Sequence, residues 1–351
     1  MSAPTISIIT PNFNKGYFVK DCIQSVIQQT FSDWEMLFVD DFSTDGSDHI
    51  AREMALTDSR IRFFKNEGIK GASSCRNQAL KRATGEFVMF LDSDDLLIST
   101  CLANRLADLR FYTDVDYCVY PMGLFHRQIG DSNVICNIPT SEKPLHRFLN
   151  RDIAWLISGP IWKRTTLQDL GGFDDDLHSQ QDYDLHIRAL IKGVPFKYFH
   201  REPDTYYRQD VKSLPRLNSQ NVEHFQFRFE MILRHVDLLK EAGKLNKKEK
   251  LLVARYLLDL AQMMRWHIVE LGKGAKDVGK YYWSYALKLG LVDSKSYSLG
   301  KKYLSFKHNM KWNYFPLLQA KLEKIFRSKL DDLIFTPSST YCKVTLQDYA
   351  E

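Results

Sequence analysis

Three aspartates stand within four residues, Asp92, Asp94 and Asp95, directly after the apolar run Phe87-Val88-Met89-Phe90-Leu91. Carboxylates that close repel one another, and a chain keeps them together when a cation or a set of donors neutralises them. The Asp92-Ser93-Asp94 spacing can set two carboxylates on one side of a turn. That suits a hard divalent cation bridging to the phosphates of a substrate. A solvated acidic turn closing a strand is the ordinary alternative, and the stretch alone leaves both open. A further acid, Asp182, opens the run Gln180–Leu190, where Leu185 and Ala189 recur at helical spacing. A carboxylate there gains from the helix dipole whatever else it does.

The elements that must position these acids follow from periodicity. Thr5–Thr10, Met36–Val39, Ile61–Phe64 and Phe87–Leu91 read as short buried strands, with helices expected over about 17–29, 48–56 and 73–83. Four strand–helix alternations in a hundred residues predict an α/β fold with a parallel, doubly wound sheet. No Gly-x-Gly-x-x-Gly follows the first strand, which counts against a dinucleotide site. Ligands of such sheets sit beyond the carboxyl ends of the strands. One rim therefore collects Thr10–Phe13, Asp40-Asp41 and Asp92–Asp95. Past Leu96 a helix to about Tyr112 and a strand at Asp116–Tyr120 come next, with 121–150 irregular. Phe196–His200 and Thr205–Arg208 read as short strands or a hairpin. Beyond residue 217 the pattern turns helical, at 221–241, 247–271, 276–289 and 317–335, so the expected domains are 1–217 and 218–351.

The 351 residues exceed a usual single core, and 44% hydrophobic with 26% charged residues is a globular composition. No run of about 18 apolar residues predicts a spanning helix, and no secretory leader is evident. The six scattered cysteines include no Cys-x-x-Cys pair, which fits reduced thiols in a cytoplasmic setting. The net charge of +5 is unevenly spread. Residues 1–240 hold 28 Lys+Arg against 32 Asp+Glu, 241–330 hold 19 against 7, and 331–351 hold 1 against 4. A basic helical third points to an anionic surface, or to nothing more than a solvated face.

Six segments in order carry a family likeness: Thr-Pro-Asn-Phe-Asn-Lys at 10–15, Val-Asp-Asp-Phe-Ser-Thr-Asp-Gly-Ser at 39–47, Ala-Ser-Ser-Cys-Arg-Asn at 72–77, Ala-Thr-Gly-Glu-Phe-Val-Met-Phe-Leu-Asp-Ser-Asp-Asp at 83–95, Gly-Gly-Phe-Asp at 171–174 and Gln-Asp-Tyr-Asp-Leu at 181–185. Over roughly residues 4–210 the chain resembles the inverting GT-A glycosyltransferases of family two, the class that builds bacterial surface polysaccharides. The resemblance implies a GT-A domain with a helical extension and a nucleotide-diphospho-sugar donor, most commonly a uridine one. It implies donor-nucleotide contacts from Thr10, Pro11, Phe13, Asp41, Arg76, Asp92 and Ser93. Asp94, with Asp95 adjacent, would ligate Mg²⁺ or Mn²⁺. Asp182 falls at the general base, although Gln181 stands where the motif has glutamate, and Asp184 competes for the role. An aromatic offers a base a face and a carboxylate accepts its N–H groups, so the chemistry of Phe13 and Asp41 agrees. Asp40 reads as a structural acid, and Tyr207-Arg208 is followed by Gln209 rather than a metal-ligating histidine. The segments at 159–160 and 171–173 resemble the wall on the acceptor side.

The acceptor implied is a glycan or lipid-linked hydroxyl, with action in the cytoplasm or at the inner face of the membrane. Residues 310–335, with Trp312, Tyr314 and Phe315 before a Lys/Arg-flanked apolar stripe, fit an anionic membrane surface. Packing on the catalytic domain or on a second copy of the chain fits that stripe equally. No finger, zipper or other reading motif points to nucleic acid. A haloacid dehalogenase-like phosphatase also ends a strand in Asp-x-Asp, but its threonine or valine two residues on is Leu96 here. The remaining alternative is a catalytically inactive nucleotide-sugar-binding protein.

Overall fold

The computed structural model of the chain describes residues 3–177, 179–209, 222–264, 274–309 and 344–345. It divides into two compact units, one formed by 1–141, 153–215 and 341–351 and the other by 142–152 and 216–340.

In the first unit the chain alternates through β1 (Ile6–Asn12), α1 (Val19–Ile27), β2 (Trp34–Asp40), α2 (Ser47–Thr57), β3 (Ile61–Lys65), α3 (Ala72–Arg82) and β4 (Phe87–Phe90). Strands β1, β2 and β4 are buried at every residue, as strands covered on both faces must be. There follow β5 (Leu96–Leu97), α4 (Cys101–Phe111), β6 (Tyr117–Val119), β7 (Met122–Phe125) and β8 (Val134–Cys136). After α5 (Pro144–Leu149), which belongs to the second unit, come β9 (Pro160–Lys163), α6 (Arg164–Asp169), α7 (Gln181–Lys192), β10 (Phe196–Tyr198) and β11 (Thr205–Arg208).

The main sheet has seven strands in the order β10-β6-β9-β4-β1-β2-β3. Its strands are parallel except β9, which runs antiparallel to both β4 and β6. The expected wholly parallel sheet is therefore mixed. Pro160 pairs with Val119 at the end of β6, so the chain leaves and re-enters the sheet at the same end of the strands and must return in the opposite direction. Pro160, lacking an N–H, stands at the first position of its strand.

A second sheet, β12-β8-β7-β11-β5, includes β12 (Val344–Thr345). It corrects two expectations. Residues 121–150 are not irregular, since they contain β7, β8 and α5; the two strands are too short to show an alternating pattern. Of the two readings of 196–208, two short strands stand and the hairpin does not, since β10 lies beside β6 while β11 pairs with β7 and β5. The helix expected past Leu96 begins at Cys101, after Leu96 and Leu97 have paired with Tyr206 and Thr205. Gly123 in β7 lets the Tyr206 ring lie against the backbone, where a Cβ would come within 2.4 Å of it.

The second unit is helical: α5, α8 (Val222–Glu241), α9 (Lys247–Met263) and the helices Gly274–Lys288 and Ser294–Asn309. Asn246 caps α9 by accepting the Lys248 N–H at 3.0 Å. The segment 142–152 packs on α9 through His146–Glu249 at 2.7 Å, the Arg151–Asp259 pair and Arg151 over the Tyr256 ring. The expected single cut after residue 217 thus differs from the compact units at 142–152 and at 341–351. Residues 310–335 lie outside the described residues. Among the described residues no helix is long and apolar enough to cross a membrane.

Candidate active site

The carboxyl ends of β1, β2 and β4 meet on one rim, and polar side chains tie them together. Asn12, the last residue of β1, donates its amide to Asp40 Oδ1 at 2.9 Å and to Ser47 Oγ at 2.9 Å. Asp40 Oδ2 accepts the Ser43 N–H at 3.1 Å. Asp40 is thereby spent on the turn. Asp41 is buried and faces the opposite way, accepting Asn66 Nδ2 at 2.8 Å and the Gly71 N–H at 3.2 Å. It fixes the loop that leads into α3.

Strand β1 runs two residues further than expected, so Pro11 and Asn12 join Thr10 inside it, all three buried. Phe13, by contrast, is 44% exposed, with Lys70 Nζ 4.1 Å above its ring. An exposed aromatic at the mouth of the rim is not the core residue that a loop phenylalanine usually is.

Each acid after β4 meets its own neutralising group. Asp92 Oδ1 accepts Arg76 Nη2 at 2.6 Å. Arg76 is only 6% exposed along its side chain and lies 5.4 Å from the Phe173 ring, which in turn sits edge-on to Phe90. Asp94 pairs with Lys15. Asp95 is buried, accepting the Arg208 N–H at 3.1 Å and the Ser158 hydroxyl at 3.4 Å. Burial first, and then the charges of Asp94 and Asp92, push its carboxyl well above the usual aspartate range. Ser93 is buried between them.

Arg208 completes the turn. Its Nε donates to the Asp94 carbonyl at 2.9 Å, and its guanidinium lies between the Phe18 and Phe125 rings at 4.5 and 4.3 Å. The sequence offered Arg208 only as the residue before an absent histidine. Its position in β11, 114 residues from Asp94, gave no signal of this role.

Asp182 lies at the second position of α7, after Gln180 in the left-handed conformation at φ 62°. It is half-buried, and desolvation raises its pKa above the ordinary aspartate value. Arg76 opposes that rise and Asp92 adds to it, so the three groups share one electrostatic neighbourhood. Asp184, the competing acid, is buried and accepts Arg188 Nε at 2.7 Å. Arg188 also donates to the carbonyls of Leu170 and Gly172 at 2.6 and 2.7 Å. Asp184 therefore anchors the Gly171-Gly172 turn through Arg188. The same turn is held to α3 by Asn77, which receives the Phe173 N–H at 2.8 Å and donates to the Phe173 carbonyl at 2.8 Å. Asn77 and Phe173 stood inside quoted motifs, but their pairing across 96 residues was invisible.

Among the described residues no group of three or more His, Cys, Asp or Glu side chains is placed to hold a metal ion. Asp92 and Asp94 each engage one oxygen in an ion pair, and the second oxygens have no protein hydrogen-bond partner among the described residues. Side-chain exposures of 32% and 17% keep both within reach of solvent. Mg²⁺ and Mn²⁺ take oxygen ligands and commonly need one or two carboxylates beside substrate phosphates, so this donor set fits.

Residues 7–149 match the family model for glycosyl transferase family 2. The putative colanic acid biosynthesis glycosyl transferase WcaA of Escherichia coli (strain K12) is 30% identical over 204 residues, covering 55% of this chain and 69% of WcaA. WfgD of Escherichia coli, a UDP-Glc:alpha-D-GlcNAc-diphosphoundecaprenol beta-1,3-glucosyltransferase, is 41% identical over 102 residues, 29% of this chain and 40% of WfgD. The chain thus spans well under two thirds of several curated relatives that it matches, WfgD among them. The crystal structure of S. aureus TarS 1-349 in complex with UDP-GlcNAc superposes with a TM-score of 0.63 at 20% identity, covering 96% of this chain and 98% of that one. The family match covers the first four of the six motifs, and the chain belongs to glycosyl transferase family 2, with the GT-A fold and a helical C-terminal portion.

Proposed function

We propose that this chain moves a sugar, with inversion, from a nucleotide-diphospho-sugar to a hydroxyl of a glycan or lipid-linked acceptor in bacterial surface-polysaccharide synthesis. The observation that carries the reading is the division of labour between two acids of α7. Asp184 is consumed by Arg188, whereas Asp182 is half-buried beside Arg76 and Asp92 with a raised pKa. A carboxylate so tuned can take the proton of an attacking hydroxyl. As the acceptor oxygen bonds to the anomeric carbon, the bond from that carbon to the diphosphate breaks on the opposite face.

The donor is proposed to be a UDP-sugar, supported by the substrate in the name of WfgD. Phe13 would give the base a face, and Asp41 would accept from base or ribose. Arg76 would steady Asp92 toward the nucleotide, while Thr10, Pro11 and Ser93 shape the floor. Asp94, with Asp92 beside it, would hold Mg²⁺ or Mn²⁺, which supplies positive charge to the departing diphosphate. Arg208 holds the Asp94 backbone in place for it. Action at the inner face of a membrane is part of the same proposal.

Asp182→Asn tests the mechanism. We expect transfer to fall at least about 100-fold, with nucleotide-sugar binding retained by calorimetry. The wild-type acid limb should lie above the ordinary aspartate range, activity falling as pH drops through it. Binding without transfer in the wild-type chain, over a panel of acceptors, would instead favour an inactive nucleotide-sugar binder.

A further inference from the structure

The three acids after β4 are neutralised in three different ways, and only one of these yields easily to an incoming cation. Arg76, the partner of Asp92, is clamped by burial and by the Phe173 ring. Asp95 is inside the protein, held by the Arg208 N–H and Ser158. The partner of Asp94 is Lys15, a single ammonium on a flexible four-carbon stem whose side chain is 20% exposed. The Lys15 backbone is fixed independently of that contact. Its carbonyl accepts the Phe18 and Val19 N–H groups at 2.8 and 2.9 Å, and the neighbouring Gly16 N–H donates to Asp45 at 2.7 Å. Asn14 before it holds the left-handed conformation at φ 51°. The loop therefore delivers an ammonium to Asp94 without depending on it.

We propose that Lys15 is a built-in counter-ion that competes with a divalent cation for Asp94. Its ammonium neutralises the acid and repels a metal ion approaching the remaining oxygen, so a metal ion binds there tightly only once it has left. Two cations cannot share that carboxylate closely without repulsion, so the affinity for metal is set partly by the strength of the Lys15–Asp94 pair. On this account the chain binds a divalent cation weakly by itself. Affinity improves when an anionic donor gives the displaced ammonium a new partner. The inference rests on the nucleotide-sugar reading of the site.

The test is Mn²⁺ binding to the full chain without donor, read from the free-ion electron paramagnetic resonance signal. Lys15→Met should bind Mn²⁺ about tenfold more tightly than wild type, since a contact ion pair near the surface is worth about that factor. Lys15→Arg, which keeps a cation, should bind no more tightly than wild type. Adding Asp94→Asn to Lys15→Met should abolish the gain. Equal affinity in wild type and Lys15→Met, no Mn²⁺ binding in either, or a gain that survives Asp94→Asn would each overturn the proposal. Thermal shifts of the same samples with UDP-sugars separate two failures. A chain that binds nucleotide sugar while Lys15 leaves Mn²⁺ affinity untouched loses this inference alone. A chain that binds no nucleotide sugar loses the reading of the site.

Discussion

Replacing Arg105 with methionine tests whether the acidic turn is held from below by a buried ion pair. The guanidinium of Arg105 in α4 is fully buried and meets Asp204, itself 4% exposed, in two hydrogen bonds of 2.9 and 2.6 Å. It also donates to Thr205 Oγ1 at 2.6 Å and to the Ser158 carbonyl at 3.1 Å. Thr205 opens β11, whose last residue, Arg208, fastens the Asp94–Asp95 turn. Truncation removes one partner and leaves the Asp204 carboxylate charged and buried, which costs about 3–5 kcal/mol. For a domain near 200 residues that lowers the melting temperature by roughly 6–20 °C, measurable by differential calorimetry. Methionine fills much of the volume, so a cavity contributes little. Arg105→Met combined with Asp204→Leu removes both charges and should recover most of the loss. A single variant within about 1 kcal/mol of wild type, or a double variant as unstable as the single, would refute the assignment.

Phe13→Ala should weaken nucleotide binding about tenfold, as loss of one base–aromatic contact does, while Phe13→Tyr keeps it; calorimetric titration with UDP distinguishes them. Gly172→Ala should destabilise the protein by about 1–3 kcal/mol, read as a lower unfolding midpoint. It forces a side chain onto φ 67° and sets a Cβ 2.5 Å from Asn77 Oδ1. Asp95→Asn should stabilise the chain at neutral pH and leave stability similar in acid. The folded pKa of Asp95 is raised, so its contribution is intact below the unfolded value near 4 and is lost as pH rises through the folded one. Denaturant midpoints at pH 4 and pH 7.5 check the sign.

What the sequence disclosed follows how far each interaction reaches along the chain. The strands were legible because β2 and β4 carry the apolar runs Met36–Val39 and Phe87–Phe90, and β1 the run Ile6–Ile9 broken only by Ser7, all of them buried. The acidic rim was legible because those strands end in polar residues at one edge of the sheet. The second sheet was not, because β5, β7 and β8 are two to four residues long and find partners such as β11 far away in the chain. Of the groups around the site, acids and Arg76 announced themselves by motif. Lys15 ends the first motif and Arg208 stands before Gln209, but neither showed its hold on Asp94, which they reach across 79 and 114 residues. Residue type alone would have ranked Asp184 level with Asp182; their difference is a salt bridge to Arg188 one helical turn away.

The rim is held against its own preferences, and this bears on how it works. Asp95 and Asp182 are acids whose pKa burial raises, so each opposes folding when charged. Thr10 Oγ1 and Arg76 Nε are buried without a hydrogen-bond partner among the described residues. Such groups persist because the frame beneath them, the Asn12–Asp40 tie, the Arg105–Asp204 pair and the Arg208 clamp, fixes the backbone that carries them. A ligand that supplies acceptors to Arg76 and positive charge to Asp94 would relieve this load rather than add to it. Binding energy would then appear as stabilisation of the whole unit, about 2.7 kcal/mol at a ligand concentration a hundred times its dissociation constant.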